Sequence, residues 1–242
     1  MIGKNKVIMG DCLELMKLIP DKSIDAIISD LPYGTTACKW DTIIPFEPLW
    51  EQYKRIIKDN GAIVLTASQP FTSALVMSNI KMFKYEWIWD KVRPSNPMLA
   101  KIQSLKIHEN ILVFSIGKTK YYPQDLLKTD KPRGGQNPSK TELGFGKAAK
   151  ERYVQEFYNY PKSILKFGTD NSKNVHPTQK PVALFEYLIK TYTNEGDLVL
   201  DNCAGSGTTG VACKNLNRNF ILIEKDPEYV KICNDRLNNN PV

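Results

Sequence analysis

Short apolar runs recur along this chain, and each gives way to an amphipathic stretch. Ile24 to Ser29, Ala62 to Thr66, Leu198 to Leu200 and Phe220 to Ile223 read as buried strands, with further strands at Val7 to Met9, Tyr85 to Trp89 and Ile111 to Ser115. Phe46 to Lys58 has helical spacing, because Leu49, Tyr53, Ile56 and Ile57 share one face, and Asn60-Gly61 is expected to stop it. Helices are also expected over Pro70 to Ile80, Pro181 to Tyr192, Thr208 to Asn215 and Asp226 to Leu237. Strands alternating with helices predict an α/β fold with a mostly parallel sheet covered on both faces. In such sheets ligands bind beyond the carboxyl ends of the strands, so the residues after each strand matter most.

The 242 residues suffice for one sizeable domain with a small insert. The longest apolar runs, Ala62 to Leu65 and Ile111 to Phe114, fall far short of the ~20 residues of a membrane-spanning helix. No apolar signal core follows the first residues, so a cytoplasmic protein without a membrane partner is expected. The five cysteines include no C-x-x-C pair, and neither His108 nor His176 joins a cysteine cluster. That pattern reads as reduced thiols and gives no metal site. His108-Glu109 reads as a structural pair at a strand end.

Charge is unevenly placed. The net charge is +7, and Lys118 to Lys173 holds 12 Lys/Arg against 6 Asp/Glu, a net of +6. The same region is rich in Gly, Pro, Asn and Tyr and has weak periodicity. It reads as a basic insert suited to a polyanion, with Lys128, Lys131, Arg133, Lys140, Lys147, Lys150 and Arg152 as candidate phosphate contacts.

Two constellations carry chemistry. In Leu198 to Gly210 an apolar strand runs from Asp201 into Gly205, Gly207 and Gly210 and then a helix, formally a G-x-G-x-x-G. Glu224 ends the next strand, 23 positions after Asp201, the spacing at which a carboxylate can accept both hydroxyls of a ribose. The second constellation is Asp30-Leu31-Pro32-Tyr33, which also follows a buried strand.

Together these residues resemble the amino-methylating DNA methyltransferases, which modify adenine N6 or cytosine N4. Asp30-Leu31-Pro32-Tyr33 resembles the catalytic tetrad, Asp201 to Thr209 the S-adenosylmethionine loop, and His176-Pro177-Thr178-Gln179-Lys180-Pro181 the stretch ahead of that loop. Gly10-Asp11-Cys12-Leu13 is similar to the family as well. The tetrad precedes the cofactor loop with the basic insert between them, as in the circularly permuted beta group. The resemblance implies a Rossmann-like fold with a seven-stranded sheet. It divides the chain into a catalytic half (1–119), a target-recognition insert (120–171) and a cofactor-binding half (172–242). One departure is Leu31, where a second Pro is usual and its rigidity is lost.

The resemblance implies roles. Asp30, helped by the Leu31 carbonyl, accepts the target amine, and Tyr33 stacks on a flipped base. Cys203, Gly205 and Gly207 offer backbone contacts to S-adenosylmethionine, with Asp201 in the same loop. Ser206, Thr208 and Lys180 face the methionine carboxylate, Glu224 holds the ribose, Asp11 and Cys12 lie near the adenine, and His176 and Thr178 flank the site. Plainer readings stand beside these: Lys180 as a surface lysine, Cys12 as packing, His176 as a hydrogen bonder at a helix entry.

None of the 15 prolines is followed by Cys, which sets aside cytosine C5 chemistry. Asp at the head of the tetrad favours adenine N6 over cytosine N4. Double-stranded DNA is the partner that the resemblance implies, and a homodimer and a cognate restriction enzyme are further partners that it suggests. RNA or protein-glutamine methylation, a nicotinamide-dependent oxidoreductase and an inactive DNA-binding relic are the competing readings.

Overall fold

The computed structural model describes residues 2–36, 41–134, 154–168 and 179–239. In chain order the elements are β1 (Lys6–Met9), α1 (Cys12–Met16), β2 (Ile24–Asp30), α2 (Phe46–Ile56), β3 (Ile57–Ala67), α3 (Phe71–Ser78), β4 (Phe83–Ser95), β5 (Lys106–Phe114), β6 (Leu127–Gly134), β7 (Val154–Tyr158), β8 (Ile164–Lys166), α4 (Val182–Tyr192), β9 (Leu198–Asp201), α5 (Thr208–Asn215), β10 (Asn219–Glu224) and α6 (Pro227–Asn239). They form two compact units, one of residues 1–122 with 163–242 and one of residues 123–162.

In the larger unit the sheet order is β1-β10-β9-β2-β3-β5-β4-β8. The first five strands are parallel, β5 is antiparallel to both neighbours, and β8 pairs parallel with β4. Seven strands make the expected sheet, and the three-residue β8 adds an eighth at its edge.

Period-2 alternation divides the core. Ile63, Leu65, Leu112, Phe114, Leu200, Ile221 and Ile223 pack with Leu49, Tyr53, Phe71 and Leu75 of α2 and α3. Val64, Ile111, Val113, Val199 and Leu222 pack on the other side with Leu184, Phe185 and Leu188 of α4, Ala212 of α5 and Cys233 of α6. Both faces of the sheet are therefore covered, which is why its central strands read as continuous apolar runs. Among the described residues no helix is long and apolar enough to cross a membrane.

Two expectations need correction. Asn60-Gly61 does not end a helix: α2 closes at Ile56 and β3 runs through both residues. There the register slips, since Ile24 pairs with Ile57 but Ala26 pairs with Ala62. Gly61 is needed at this irregularity, because a Cβ would lie 2.7 Å from Ile57 Cδ1 and 2.8 Å from the Asp25 carbonyl oxygen. Second, β4 and β5 are longer than their apolar runs, so their hairpin continues past the sheet.

The smaller unit is an antiparallel pair, β6 with β7. It leaves Leu127, Phe157, Tyr158 and Tyr160 exposed. Lys140, Lys147, Lys150 and Arg152 lie outside the described residues.

Candidate active site

The parallel run β1-β10-β9-β2-β3 brings the carboxyl ends of five strands to one edge. Asp11, Glu224, Asp201, Asp30 and Thr66 therefore stand beside or just past neighbouring strand ends. β5 runs the other way, so its amino end, with Glu109, reaches the same edge.

On the β9–β10 side a glycine loop is held by carboxylates. Asp201 is buried, and its oxygens accept from Ser29 Oγ at 2.7 Å, the Cys203 N–H at 3.1 Å and Thr209 Oγ1. Burial pushes its carboxyl up to about 6, with the Thr209 and Ser29 hydroxyls opposing. Glu224 Oε2 accepts the Gly205 N–H at 2.7 Å, and Oε1 accepts the N–H groups of Lys225 and Asp226 at 2.8 and 2.9 Å. Gly205 and Gly207 both have left-handed backbones, for opposite reasons. A Cβ on Gly205 would meet nothing within 4 Å, so the loop faces open space there, whereas a Cβ on Gly207 would collide with Cys233 Sγ of α6.

This arrangement fits an adenosine cofactor: a strand-end carboxylate with an acceptor position left on Oε2 for a ribose hydroxyl, and backbone that a ligand can approach closely. Asp11 caps α1 by accepting the Leu13 N–H at 2.9 Å. The thiols of Cys12 and Cys203 meet. The hydrogen bond from Cys203 holds the Cys12 thiol below its usual range, and the same contact together with burial raises Cys203. Ser206 is gripped by Arg236 of α6, which donates to its carbonyl at 2.6 Å and to its hydroxyl at 2.8 Å. The Thr208 hydroxyl lies 3.4 Å from the Lys180 carbonyl. His176 and Thr178 lie outside the described residues.

On the β2–β3 side the tetrad is wired to its surroundings. Asp30 Oδ1 accepts from the Tyr33 hydroxyl at 2.8 Å and from the Thr66 hydroxyl. Oδ2 takes Lys180 Nζ at 2.7 Å. The Leu31 side chain is buried in the core with residues of α2 and α3, so the position is a packing site as well as part of the tetrad. One face of Tyr33 stacks on Phe71, with ring centroids 5.3 Å apart, and Lys180 Nζ lies over its ring at 5.6 Å. Burial raises the Tyr33 phenol well above its ordinary value, reinforced by Asp30 and Glu109, so it stays a donor. Asp41 clamps the turn after the tetrad by accepting the N–H groups of Gly34, Thr35 and Thr36 at 2.7 to 2.9 Å.

Lys180 is buried rather than a surface lysine. Burial disfavours its charge, but Asp30 and Glu109 outweigh that and raise it. Glu109 lies 3.4 Å from Lys180 and 3.0 Å from Lys91, and those cations hold its carboxyl low against its burial. Glu109 is thus part of the site and no mere strand-end residue. Sequence reasoning also passed over Thr66, Phe71, Ser29 and Arg236. The strand-end rule points to Thr66, which closes an apolar run; the other three carry no local signal.

A DNA methylase family model for N6/N4 methyltransferases matches residues 24–235. The chain is 30% identical over 251 residues to the type II methyltransferase M.HpaI of Haemophilus parainfluenzae, covering 96% of this chain and 74% of that protein. It is 30% identical over 245 residues to the DNA adenine methyltransferase YhdJ of Escherichia coli (strain K12), covering 93% and 80%. Among solved structures, that of the M1.HpyAVI–SAM complex is similar with a TM-score of 0.64 and 28% identity, covering 96% of this chain and 99% of that one.

Proposed function

The chain belongs to the N6/N4 DNA methylase family, and from that premise we propose that it methylates adenine N6 of a base turned out of duplex DNA. It is an S-adenosylmethionine-dependent DNA methyltransferase. The observation that carries the reading is a half-exposed carboxylate, Asp30, one strand away from a glycine loop with open space beside Gly205.

S-adenosylmethionine, when bound, supplies a methyl group on a positively charged sulfur. The chain's task is to aim a poor nucleophile, since the exocyclic amine's lone pair is delocalised into the base. Among the described residues, Asp30 Oδ1 accepts two hydroxyls, whereas Oδ2 accepts Lys180 alone and keeps one acceptor position. The amine donates one N–H to Oδ2 and the other to the Leu31 carbonyl. Held by both, its lone pair points out of the base plane toward the cofactor side; as the methyl group exchanges its bond to sulfur for one to nitrogen, the proton held at Oδ2 leaves by way of Asp30 to solvent, and positioning supplies much of the acceleration. Tyr33, backed by Phe71, is the platform for the base. Glu224 takes the ribose, Asp11 and Cys12 border the adenine, and Lys180 lies within the methionine end of the site.

Residues 123–162 take part in recognising the target, with Lys128, Lys131 and Arg133 of β6 as candidate phosphate contacts. A homodimer, a cognate restriction enzyme and a cytoplasmic location complete the reading. The supports are the family's beta-group order, relatives named as type II methyltransferases, and a substrate that is DNA.

The test is tritiated methyl transfer to unmethylated genomic DNA, followed by nucleoside mass spectrometry. N6-methyladenine is expected, and N4-methylcytosine would overturn the base assignment. Asp30→Ala is expected to abolish transfer and leave cofactor affinity within about twofold, because the oxygens that hold the glycine loop belong to Asp201 and Glu224. Wild-type transfer by this variant would refute the assigned chemistry.

A further inference from the structure

The β4–β5 ribbon does not stop at the edge of the sheet. Asp30 is in register with Thr66, and Thr66 with Ile111, so Ile111 marks the level of the catalytic carboxylate. β5 begins five residues earlier, at Lys106. At ~3.3 Å per residue the ribbon overhangs Asp30 by roughly 15 Å, which exceeds the ~8 Å depth of a DNA groove. Its tip, 96–105, carries a 3-10 turn at Pro97–Leu99, and Pro94 and Pro97 restrict the backbone on either side of Asn96.

Two large apolar side chains stand out from this tip. Met98 is 93% exposed and Ile102 79%, the highest values for large hydrophobic residues among the described residues. The stretch Lys91 to His108 contains no carboxylate and holds Lys91, Arg93, Lys101 and Lys106. Arg93 and Lys101 are exposed. The base of the ribbon is tied into the catalytic cluster: Lys106 donates to Ser68 Oγ just past β3, and Lys91 reaches Glu109, which faces Lys180 and so Asp30. An apolar point flanked along the chain by two exposed cations, Arg93 and Lys101, suits a polyanion with an apolar interior. It does not suit a second copy of a chain whose net charge is itself +7.

We propose that this tip is a wedge for duplex DNA: Met98 and Ile102 fill the gap left in the base stack when the target base swings to Asp30, and Arg93 and Lys101 hold the flanking phosphates. The inference rests on the DNA-methylating function above. Turning a base out costs unpairing and unstacking, and inserted Met or Ile side chains are a known way to offset that cost. Arg93 and Lys101 bind without reading sequence, so the wedge accepts whichever site the rest of the chain selects.

The test uses the full chain and two duplex oligonucleotides carrying the site mapped from methylated genomic DNA. In one the target adenine is paired, and in the other it faces an abasic site. In Met98→Ser/Ile102→Ser both changed residues are exposed, and cofactor affinity by calorimetry is expected to stay at the wild-type value. Its kcat is expected to fall roughly tenfold or more on the paired duplex and to return within about threefold of wild type on the abasic one, where little stacking must be broken. Arg93→Ala/Lys101→Ala is expected to raise KM on both duplexes alike and to flatten the salt dependence.

Equal loss on both duplexes for the Ser variant, or no loss on either, overturns the wedge. So does a loss that tracks conversion of dimer to monomer by sedimentation, which would make the tip an interface between copies. Wild-type protein that binds cofactor but methylates no DNA overturns the function itself, and the wedge with it.

Discussion

Glu109 joins two lysines at the catalytic edge, and its Oε2 is buried with no hydrogen bond among the described residues, 3.4 Å from Lys180. Its importance was hidden in the sequence because its partners arrive from β4 and from the approach to α4, both distant along the chain. Lys180 was marked by its motif, yet its burial against Asp30 was not. Glu109→Gln leaves Lys91 without its carboxylate and Lys180 with Asp30 alone. Breaking such a buried pairing costs on the order of 3 kcal/mol. The pH consequence has a definite sign. The Lys180 ammonium is raised above its ordinary value, so its stabilisation is complete below pH 10.5 and is lost as pH rises through the higher folded value. In Glu109→Gln the folded value is raised less, so less stability is lost above pH 10.5 and over a narrower range, visible as a flatter alkaline fall in thermal stability, while the alkaline fall in transfer rate, which follows the folded value, moves to lower pH; Glu109→Asp should restore much of both. Asp201 behaves oppositely. Its carboxyl sits at about 6 rather than 3.8, so the native state binds the extra proton and stability falls as pH rises between those values. Asp201→Asn should remove that slope. Chemical denaturation of both proteins from pH 4 to 7 measures it, and a parallel pair of curves would contradict the assignment.

At the scale of elements, the strand–loop–helix from β9 to α5 shows how a short segment serves two neighbours. Gly205 faces open space, and Gly207 faces α6. Gly207→Ala should destabilise the fold by roughly 2 kcal/mol or more, through its left-handed backbone and the collision with Cys233 Sγ, and Cys233→Ala should recover part of that loss. Gly205→Ala should cost only about 1 kcal/mol of stability, yet weaken cofactor binding at least tenfold, because its methyl enters the space where the cofactor meets the backbone. Thermal melting and calorimetry separate the two outcomes. The elements of this region were legible from sequence: α5 falls at Thr208–Asn215 as its pattern predicts, and Asp201 and Glu224 close their strands. Where legibility failed, the cause was tertiary. Asn60-Gly61 looks like punctuation but sits at a slipped register inside β3. β8 is three residues long and exists through pairing with β4, so it has no period of its own to read. The ends of β4 and β5 are polar and basic and pair with each other beyond the sheet, where no buried face imposes alternation.

At the scale of the molecule, the chain interrupts one α/β unit with residues 123–162. The sequence points to an insert over 120–171 through weak periodicity, excess cations and interleaved tyrosines, whereas 163–168, with β8, belongs to the larger unit. The insert's β6–β7 pair was not legible, since an isolated two-stranded ribbon has no buried face to impose a pattern. The larger unit secures both flanks by itself. The Tyr122 N–H donates to the Thr191 carbonyl at the end of α4, and the Ser163 carbonyl accepts the Ile88 N–H of β4. Replacing 123–162 with a flexible linker should therefore leave cofactor affinity and the melting of the larger unit nearly unchanged. DNA affinity should fall, and its salt dependence should change in a countable way. The segment holds eight Lys/Arg, and every phosphate it ceases to neutralise lowers the slope of log K against log salt by about 0.9. Binding titrations of wild type and the replaced chain at 50 to 200 mM salt give the number of those phosphates directly. An unchanged slope would mean that residues 123–162 do not touch the phosphates. A flattened slope with site preference intact would mean that they bind DNA but leave its reading to another part of the chain.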